Sequence, residues 1–143
     1  MSFLSSLAIS ASGLRAERLR VDLASANLAN ANSTRTAEGG PYRRRDPVLV
    51  ASPVASPFGP ALDQALRKVN VHQIVVDSRP PREVFDPGHP DADANGIVRM
   101  PNVRTVEEVA NLLNAARSYE ANLTAITASR SMAERALRLG RIG

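Results

Sequence analysis

All ten prolines of this chain of 143 residues lie between residues 33 and 104. Because proline breaks a helix interior, they divide the chain into two proline-free ends and an irregular middle. The ends are rich in Ala and Leu, which favour helix. We therefore expect a mainly α fold, in which long N- and C-terminal helices form an antiparallel, coiled-coil-like pair around a small irregular β and loop region. The predicted domains are a terminal helical domain (1–32 and 105–143) and a β- and loop-rich region (33–104).

The first helix carries apolar residues on two sides. One series recurs every seven residues, which is the spacing of a coiled-coil seam. Its members are Leu7, Leu14, Val21 and Leu28, and Leu4 and Ala11 occupy alternate positions of the same seam. A second group, which includes Leu19 and Leu23, faces roughly the other way at 3.6 residues per turn. A helix with two apolar sides needs more than one neighbour, so this helix is expected to contact another subunit. It should end within 27–32, where Asn and Ser compete for backbone hydrogen bonds.

The last helix has a clear beginning and end in the sequence. Thr105 and Glu108 have the spacing of a capping box, in which the two side chains bond each other's amides. Gly140 should end the helix. Between these points, apolar residues at spacings of three and four form a nearly continuous seam: Val109, Leu112, Ala116, Tyr119, Leu123, Ile126, Ala133 and Leu137. This seam is the better candidate for a self-contained partner surface.

The middle contains short segments that favour β structure. Residues 45–50 and 69–77 are rich in β-branched side chains, and 83–85 and 97–98 are shorter segments of the same kind. Residues 52–60 contain three prolines and are expected to form a loop. A small β hairpin or ribbon is therefore expected, although the sequence leaves the fold of 51–80 open.

Charge and composition exclude several classes of protein. The chain has 18 basic and 14 acidic residues, and the excess is spread along the chain. A nucleic-acid-binding protein concentrates such charge on one face or stripe, so nucleic acid is disfavoured as a partner. The absence of cysteine excludes disulfides and thiolate metal sites. No basic region precedes the apolar N-terminus, and no apolar run is long enough to cross a bilayer. We therefore expect a cytoplasmic protein, or one exported without a cleaved signal peptide and not inserted into a membrane.

One acidic segment resembles a calcium-binding loop. Asp91, Asp93, Asn95 and Gly96 match the first six positions of an EF-hand. Position twelve would be Asn102, which cannot supply the two carboxylate oxygens of the usual Glu. The surrounding prolines also forbid the flanking helices. The sequence therefore favours an acidic turn, with Gly96 in a special backbone conformation, over a calcium site.

No catalytic constellation stands out in the sequence. His72 and His89 have no third metal ligand at a recognisable spacing. We expect no enzyme activity, no bound metal and no cofactor. The basic segment 39–45, which contains Arg43, Arg44 and Arg45, has two interpretations: an anchor for acidic side chains or phosphates, or a turn with solvated arginines.

Both ends of the chain, and the loop before the last helix, resemble the proximal rod proteins of the flagellar rod and hook family. The resemblance covers roughly residues 3–50 and 84–139, and the stretches 9–16, 23–32, 86–93 and 116–122 carry most of it. Residues 51–70 resemble nothing recognisable, and Ile97 stands where the family tends to have Tyr. The residues that match the family signature are Asn27, Asn30, Gly40, Pro41, Tyr42, Asp86, Pro87, His89, Pro90, Asp91, Asp93, Gly96, Pro101, Asn102 and Val103.

The resemblance implies a structural subunit of the flagellar basal-body rod that transmits torque. It also implies type III export without a cleaved signal, a position in the periplasmic rod, and partners similar to the rod proteins FlgB, FlgF and FlgG and the adaptor FliE. Further copies of the chain would be partners within the rod. The expected assembly residues are Leu7, Leu14, Leu19, Val21, Leu23, Leu28, Val109, Leu112, Ala116, Tyr119, Leu123 and Ile126. Two alternatives remain: a secreted helical-hairpin module that binds a partner within a type III export system, and a basic DNA-associated helical protein.

Overall fold

The computed structural model describes residues 3–54 and 66–140. Within these described residues, one long helix precedes and another follows four strands along the chain. The helices are α1 (Phe3–Ala29) and α2 (Thr105–Leu139), and the strands are β1 (Arg45–Pro53), β2 (Arg67–Val76), β3 (Arg82–Phe85) and β4 (Ile97–Met100). A mainly α fold with a small β region is therefore confirmed, whereas coiled-coil pairing of the helices stays a prediction.

The four strands form two separate two-stranded sheets. In one sheet β1 lies beside β2, and in the other β3 pairs antiparallel with β4. The register of the second sheet places Val84 opposite Val98, whose side chain is fully buried. All four predicted strand segments are confirmed, with ends that differ by a few residues. Most of the predicted loop at 52–60 lies outside the described residues.

The termini of the two helices follow local backbone chemistry. The last turn of α1 is completed by Asn30, whose amide and side-chain Nδ2 both donate to the carbonyl of Ala26. At the end of α2 the amide of Gly140 donates to the carbonyl of Ala136, so the predicted ends of both helices are confirmed. The prediction of a capping box is wrong. The amide of Glu108 donates to the carbonyl of Arg104 and not to the side chain of Thr105, and the Glu108 carboxylate is buried inside the protein. None of the described helices combines the length and apolarity that a membrane span requires.

Contacts divide the chain into two compact units, and each contains part of both helices. The first unit comprises residues 1–19, 48–73 and 114–143, and the second comprises residues 20–47 and 74–113. The boundaries of these units differ from those of the predicted domains, which separate the terminal helices from the middle region. The predicted domains stay a prediction.

Candidate assembly site

The buried positions of α1 carry small and polar side chains. In the first unit they are Ser12, Gly13 and Ala16, and in the second they are Ala24 and Asn27. At 100° per residue this line runs between the two apolar sides that the sequence shows. The predicted residues Leu7, Leu14, Leu19, Val21, Leu23 and Leu28 are all half-buried. The heptad series is therefore not the buried line of α1, and the side chain of Leu4 lies outside the described part.

A close contact between the helices explains why the buried line carries small residues. In the first unit, a Cβ atom at Gly13 would lie 2.8 Å from Oδ1 of Asn122 on α2. Asn122 is held in place because its Nδ2 donates to the carbonyl of Ser118 at 2.9 Å. A side chain at position 13 would therefore displace either Asn122 or the α2 backbone.

Ser12 connects α1 to the strand β2 within the first unit. Its hydroxyl donates to the carbonyl of Ile9 at 2.7 Å and accepts the amide of Val69 at 3.0 Å. Ser12 is buried, so both hydrogen bonds are shielded from water. This serine thus holds the beginning of the β2 ribbon against the helix.

A buried polar cluster in the second unit joins the two helices to the segment before β1. We name Asn27, Tyr42, Arg44 and Glu108 the polar junction. Nδ2 of Asn27 donates to Oε2 of Glu108 at 2.9 Å and to the carbonyl of Arg45 at 2.9 Å. Its Oδ1 accepts the Tyr42 hydroxyl at 2.9 Å and the Arg45 amide at 3.0 Å. Asn27 therefore uses both of its donors and both of its acceptor sites.

The polar junction also contains a buried ion pair. The Glu108 side chain is 1% exposed and the Arg44 side chain 15%, and Nε of Arg44 donates to Oε1 of Glu108 at 2.6 Å. Arg44 also pairs with Asp46 through Nη1. Burial raises the pKa of Tyr42, an effect that Arg45 opposes and Glu108 reinforces. The hydroxyl of Tyr42 thus remains a hydrogen-bond donor over a wider pH range than that of a free tyrosine.

The first turns of α2 expose apolar side chains on the side away from Glu108. We name Val106, Val109 and Leu113 the apolar patch. They follow the helical spacing of one face and are 83%, 41% and 54% exposed. Farther along α2, four more large apolar residues are exposed: Leu123, Met132, Leu137 and Leu139. Among the predicted seam residues, Val109 and Leu123 are thus exposed, whereas Leu112, Ala116, Tyr119 and Ile126 are half-buried.

The family-signature residues between β3 and β4 form an acidic turn. The carboxylate of Asp91 accepts from Thr34 at 2.7 Å and also pairs with Arg35. The hydrogen bond from Thr34 is the largest cause that lowers the pKa of Asp91. Oδ1 of Asp93 accepts the amides of Asn95 and Ile97. The acidic groups of the EF-hand-like sequence are therefore engaged with donors of the protein itself.

Gly96 adopts the special conformation that the sequence predicts, with φ of 74°. A Cβ atom there would lie 3.0 Å from the Phe85 ring and 3.1 Å from Pro87, so both backbone and packing require glycine. His89 is oriented by the same turn, where its Nδ1 accepts the amide of Asp91. In the described part of the chain, no three His, Asp or Glu side chains group closely enough to hold a metal ion. Of the remaining signature residues, Pro101 and Val103 are buried beside the start of α2 and Asn102 is half-buried.

Known proteins resemble this chain at both ends and over its whole length. Residues 7–35 match the family described as flagella basal body rod protein, and 94–139 match the C-terminal region of the flagellar basal body rod FlgEFG proteins. The flagellar basal-body rod protein FlgC of Borreliella burgdorferi is 40% identical, over 96% of this chain and 97% of its own. The FlgC proteins of Salmonella typhimurium (39%, over 98% and 99%) and Bacillus subtilis (38%, over 99% and 100%) are similar.

The chain belongs to the FlgC family of flagellar basal-body rod proteins. It is thus a structural rod subunit of the flagellar basal body, as the sequence resemblance implied. The expectation of a chain without enzyme activity fits relatives that are rod proteins. The polar junction links the two regions that this FlgC-family chain shares with rod proteins, because Asn27 lies in the first matched region and Glu108 in the second.

Sequence reasoning missed the residues that make the contacts between the helices. In the sequence, Asn27 belongs to the family signature and Glu108 has the spacing of a capping box, and neither pattern predicts their contact. Gly13 was the one glycine within a helical pattern, and such a glycine often has a packing reason. That isolated glycine was the available signal for a close approach of the helices.

Proposed function

We propose that this rod subunit polymerises by packing the apolar faces of its terminal helices against neighbouring subunits. The observation that carries the proposal is the apolar patch, which exposes three large aliphatic side chains on one side of α2. Burying a side chain of this size contributes about 1.5–3 kcal/mol. The exposed surface of a single chain is therefore a favourable contact for another subunit.

The two helices support the proposal unequally. The apolar residues of α1, including Leu19 and Leu23, are already half-covered within the chain, whereas Val106 and Leu113 of α2 are largely open. More apolar area remains to be buried at α2 than at α1. We therefore assign the larger part of the contact with neighbours to α2, and a secondary part to the half-buried leucines of α1.

We propose that α1 and α2 run antiparallel within the subunit. In the first unit Gly13 meets Asn122, and in the second Asn27 meets Glu108. The spacing along α1, from position 13 to 27, equals the spacing along α2, from 122 back to 108. That spacing is two heptads, which is compatible with a coiled-coil-like pair.

The same proposal includes the export route, the location and the partners of the subunit, which we infer from its family. The subunit would be exported by the flagellar type III apparatus without a cleaved signal and would lie in the periplasmic rod. Its neighbours would be further copies of itself, the rod proteins FlgB, FlgF and FlgG, and the adaptor FliE. Packing of long helices between subunits would give the rod the torsional stiffness that torque transmission requires.

Replacement of the patch by charge tests the proposal. Leu113→Asp places a carboxylate where an apolar contact is expected, and cells that carry only this variant should form few complete rods and swim poorly. Gln73→Asp is the matched control, because it adds the same charge at an exposed residue outside the helices and away from the arginine-rich turn at 39–45. Normal numbers of rods with Leu113→Asp, counted by electron microscopy of purified basal bodies, would show that the patch is not an assembly surface.

A further inference from the structure

The three adjacent arginines at the start of β1 have three different environments. Arg44 is engaged in the polar junction with Glu108. Arg45 lies over the ring of Tyr42, with 6.0 Å between its Cζ and the ring centre, and its Nη2 is 3.8 Å from Glu38. Arg43 is exposed, and no carboxylate among the described residues lies within 4.0 Å of its guanidinium. Arg43 is therefore the member of the basic segment left available for another molecule.

A cleft in the second unit brings Arg43 together with a second available arginine. The cleft has a volume of about 240 Å³ and lies between the turn at 39–41 and the strand β4. Arg99 on β4 lines it, as does the half-buried Asn102. Arg79 also lines it, but its Nε donates to Asp77 at 2.8 Å. We name Arg43, Arg99 and Asn102 the arginine cleft.

Arg99 has no strong partner among the residues that the structure describes. The register of the second sheet places Glu83 opposite it, yet within the described ranges these two side chains form no ion pair. Arg99 also borders the acidic turn, where Asp91 is already bound by Thr34 and Arg35. The cleft thus holds two exposed guanidinium groups whose hydrogen-bonding capacity is not used by the described part of the chain.

We propose that the arginine cleft binds a carboxylate presented by a neighbouring protein chain. Guanidinium groups donate paired hydrogen bonds that match the geometry of a carboxylate, and the amide of Asn102 adds a neutral donor. This contact uses the β region and is independent of the helix packing proposed above.

The charge around the cleft favours a protein carboxylate over a polyanion. The second unit contains nine basic and ten acidic residues, so its positive charge is local. Asp91 and Asp93 line the adjoining cleft, which shares Arg99. The regularly spaced phosphates of a nucleic acid or a lipid surface would meet these carboxylates. Among the residues that line the arginine cleft itself, the one carboxylate is Asp77, and Arg79 already pairs with it. A single acidic side chain that enters the cleft therefore meets less repulsion than a polyanion.

The cleft is tested by reversal of its two charges in the whole chain. Cells that carry Arg43→Glu with Arg99→Glu should form at least about tenfold fewer complete rods, because the lost pairs are replaced by repulsion. Arg67→Glu with Arg82→Glu is the matched control. Both of its arginines are exposed and unpaired in the described part, and Arg82 belongs to the other face of the β3–β4 sheet from Glu83 and Arg99.

The outcomes of this experiment separate the alternatives. Suppressor mutations that restore rods by changing Asp or Glu to Lys or Arg in a neighbouring rod protein would support the proposal and identify the partner. Normal rod numbers in the cleft variant, or an equal loss in the control, would overturn it. If the double reversal impairs folding of the purified protein, Arg43→Gln with Arg99→Gln is measured instead, and it should still reduce rods. If the cleft variant forms normal numbers of rods and Leu113→Asp does not, the cleft proposal is wrong and the helix-packing proposal is still supported.

Binding to purified protein discriminates the chemical class of the partner. A hexaglutamate peptide should shift the NMR signals of residues around the cleft, and the Arg43→Gln and Arg99→Gln pair should abolish the shift. Tighter binding of a short single-stranded DNA or of inorganic phosphate at the same residues would contradict the assignment to a protein carboxylate.

Discussion

The two sides of the first turns of α2 reverse the usual distribution of polar and apolar residues. A charged side chain is buried on one side, and apolar side chains are exposed on the other. On the inner side, Glu108 is fully buried and paired with Asn27 and Arg44. On the outer side, Val106 and Leu113 are exposed. The inner side is complete within one chain, because its polar groups are hydrogen-bonded to one another. The outer side is incomplete, since it leaves apolar surface in water. The comparison shows that the polar groups of this segment are satisfied within one chain, whereas its large apolar side chains stay open for the contact with neighbours proposed above.

The largest expected effect concerns the inner side. Glu108→Ala removes the partner of a mostly buried arginine and one acceptor of Asn27, which should lower the free energy of unfolding by about 3–5 kcal/mol. Urea denaturation of the purified protein measures this change. Glu107→Ala is the control, because Glu107 is 54% exposed and its pair with Arg104 contributes at most about 1 kcal/mol. Equal losses in the two variants would contradict a special role for the buried carboxylate.

The close approach of the helices in the first unit should show the next largest effect. Gly13→Val places a side chain against Asn122 and should cost about 1–3 kcal/mol of stability. Combining it with Asn122→Ala makes space and should recover part of the loss, which a double-mutant cycle detects. Strict additivity of the two changes would show that positions 13 and 122 do not meet.

A smaller effect is expected at Tyr42 and depends on pH. The pKa of Tyr42 is raised above its ordinary value of 10.0, so the folded protein favours the protonated hydroxyl. Its contribution to stability should be fully present below about pH 10 and lost as the pH rises through the folded pKa. Tyr42→Phe should cost about 1 kcal/mol at neutral pH and flatten this alkaline decline. An unchanged alkaline decline in denaturation curves of Tyr42→Phe would assign it to other groups.

The outer side should show the smallest effect on stability. Val109→Asp with Leu113→Asp should change the free energy of unfolding of the monomer by no more than about 0.5 kcal/mol per site, because both side chains are already exposed. The same variant should fail to support swimming. A large loss of monomer stability would mean that the apolar patch is covered within the chain, and would remove the distinction between the two sides.

The sequence predicted the elements of this fold better than their contacts. Proline positions and strand propensity were sufficient for two helices and four short strands, because those signals act locally. The buried line of α1 was not predicted, because hydrophobic periodicity marks large apolar residues, whereas the contacts use Gly13 and Asn27. Glu108 was misassigned because the same spacing serves a capping box and an inward-facing carboxylate, and only distant residues decide between them. The Gly96 turn was predicted correctly because its backbone requirement is local.

The hydrogen bond between Asn27 and Glu108 joins residues 81 positions apart, and this separation bears on the order in which the chain can fold. Closing so long a loop costs conformational entropy, and this cost is offset only when the hydrogen bonds of the polar junction have formed. A growing chain therefore exposes Asn27 long before Glu108 follows. The hydrogen bonds of the polar junction can therefore form only after the start of α2 is present, so the second unit cannot complete its packing before that point.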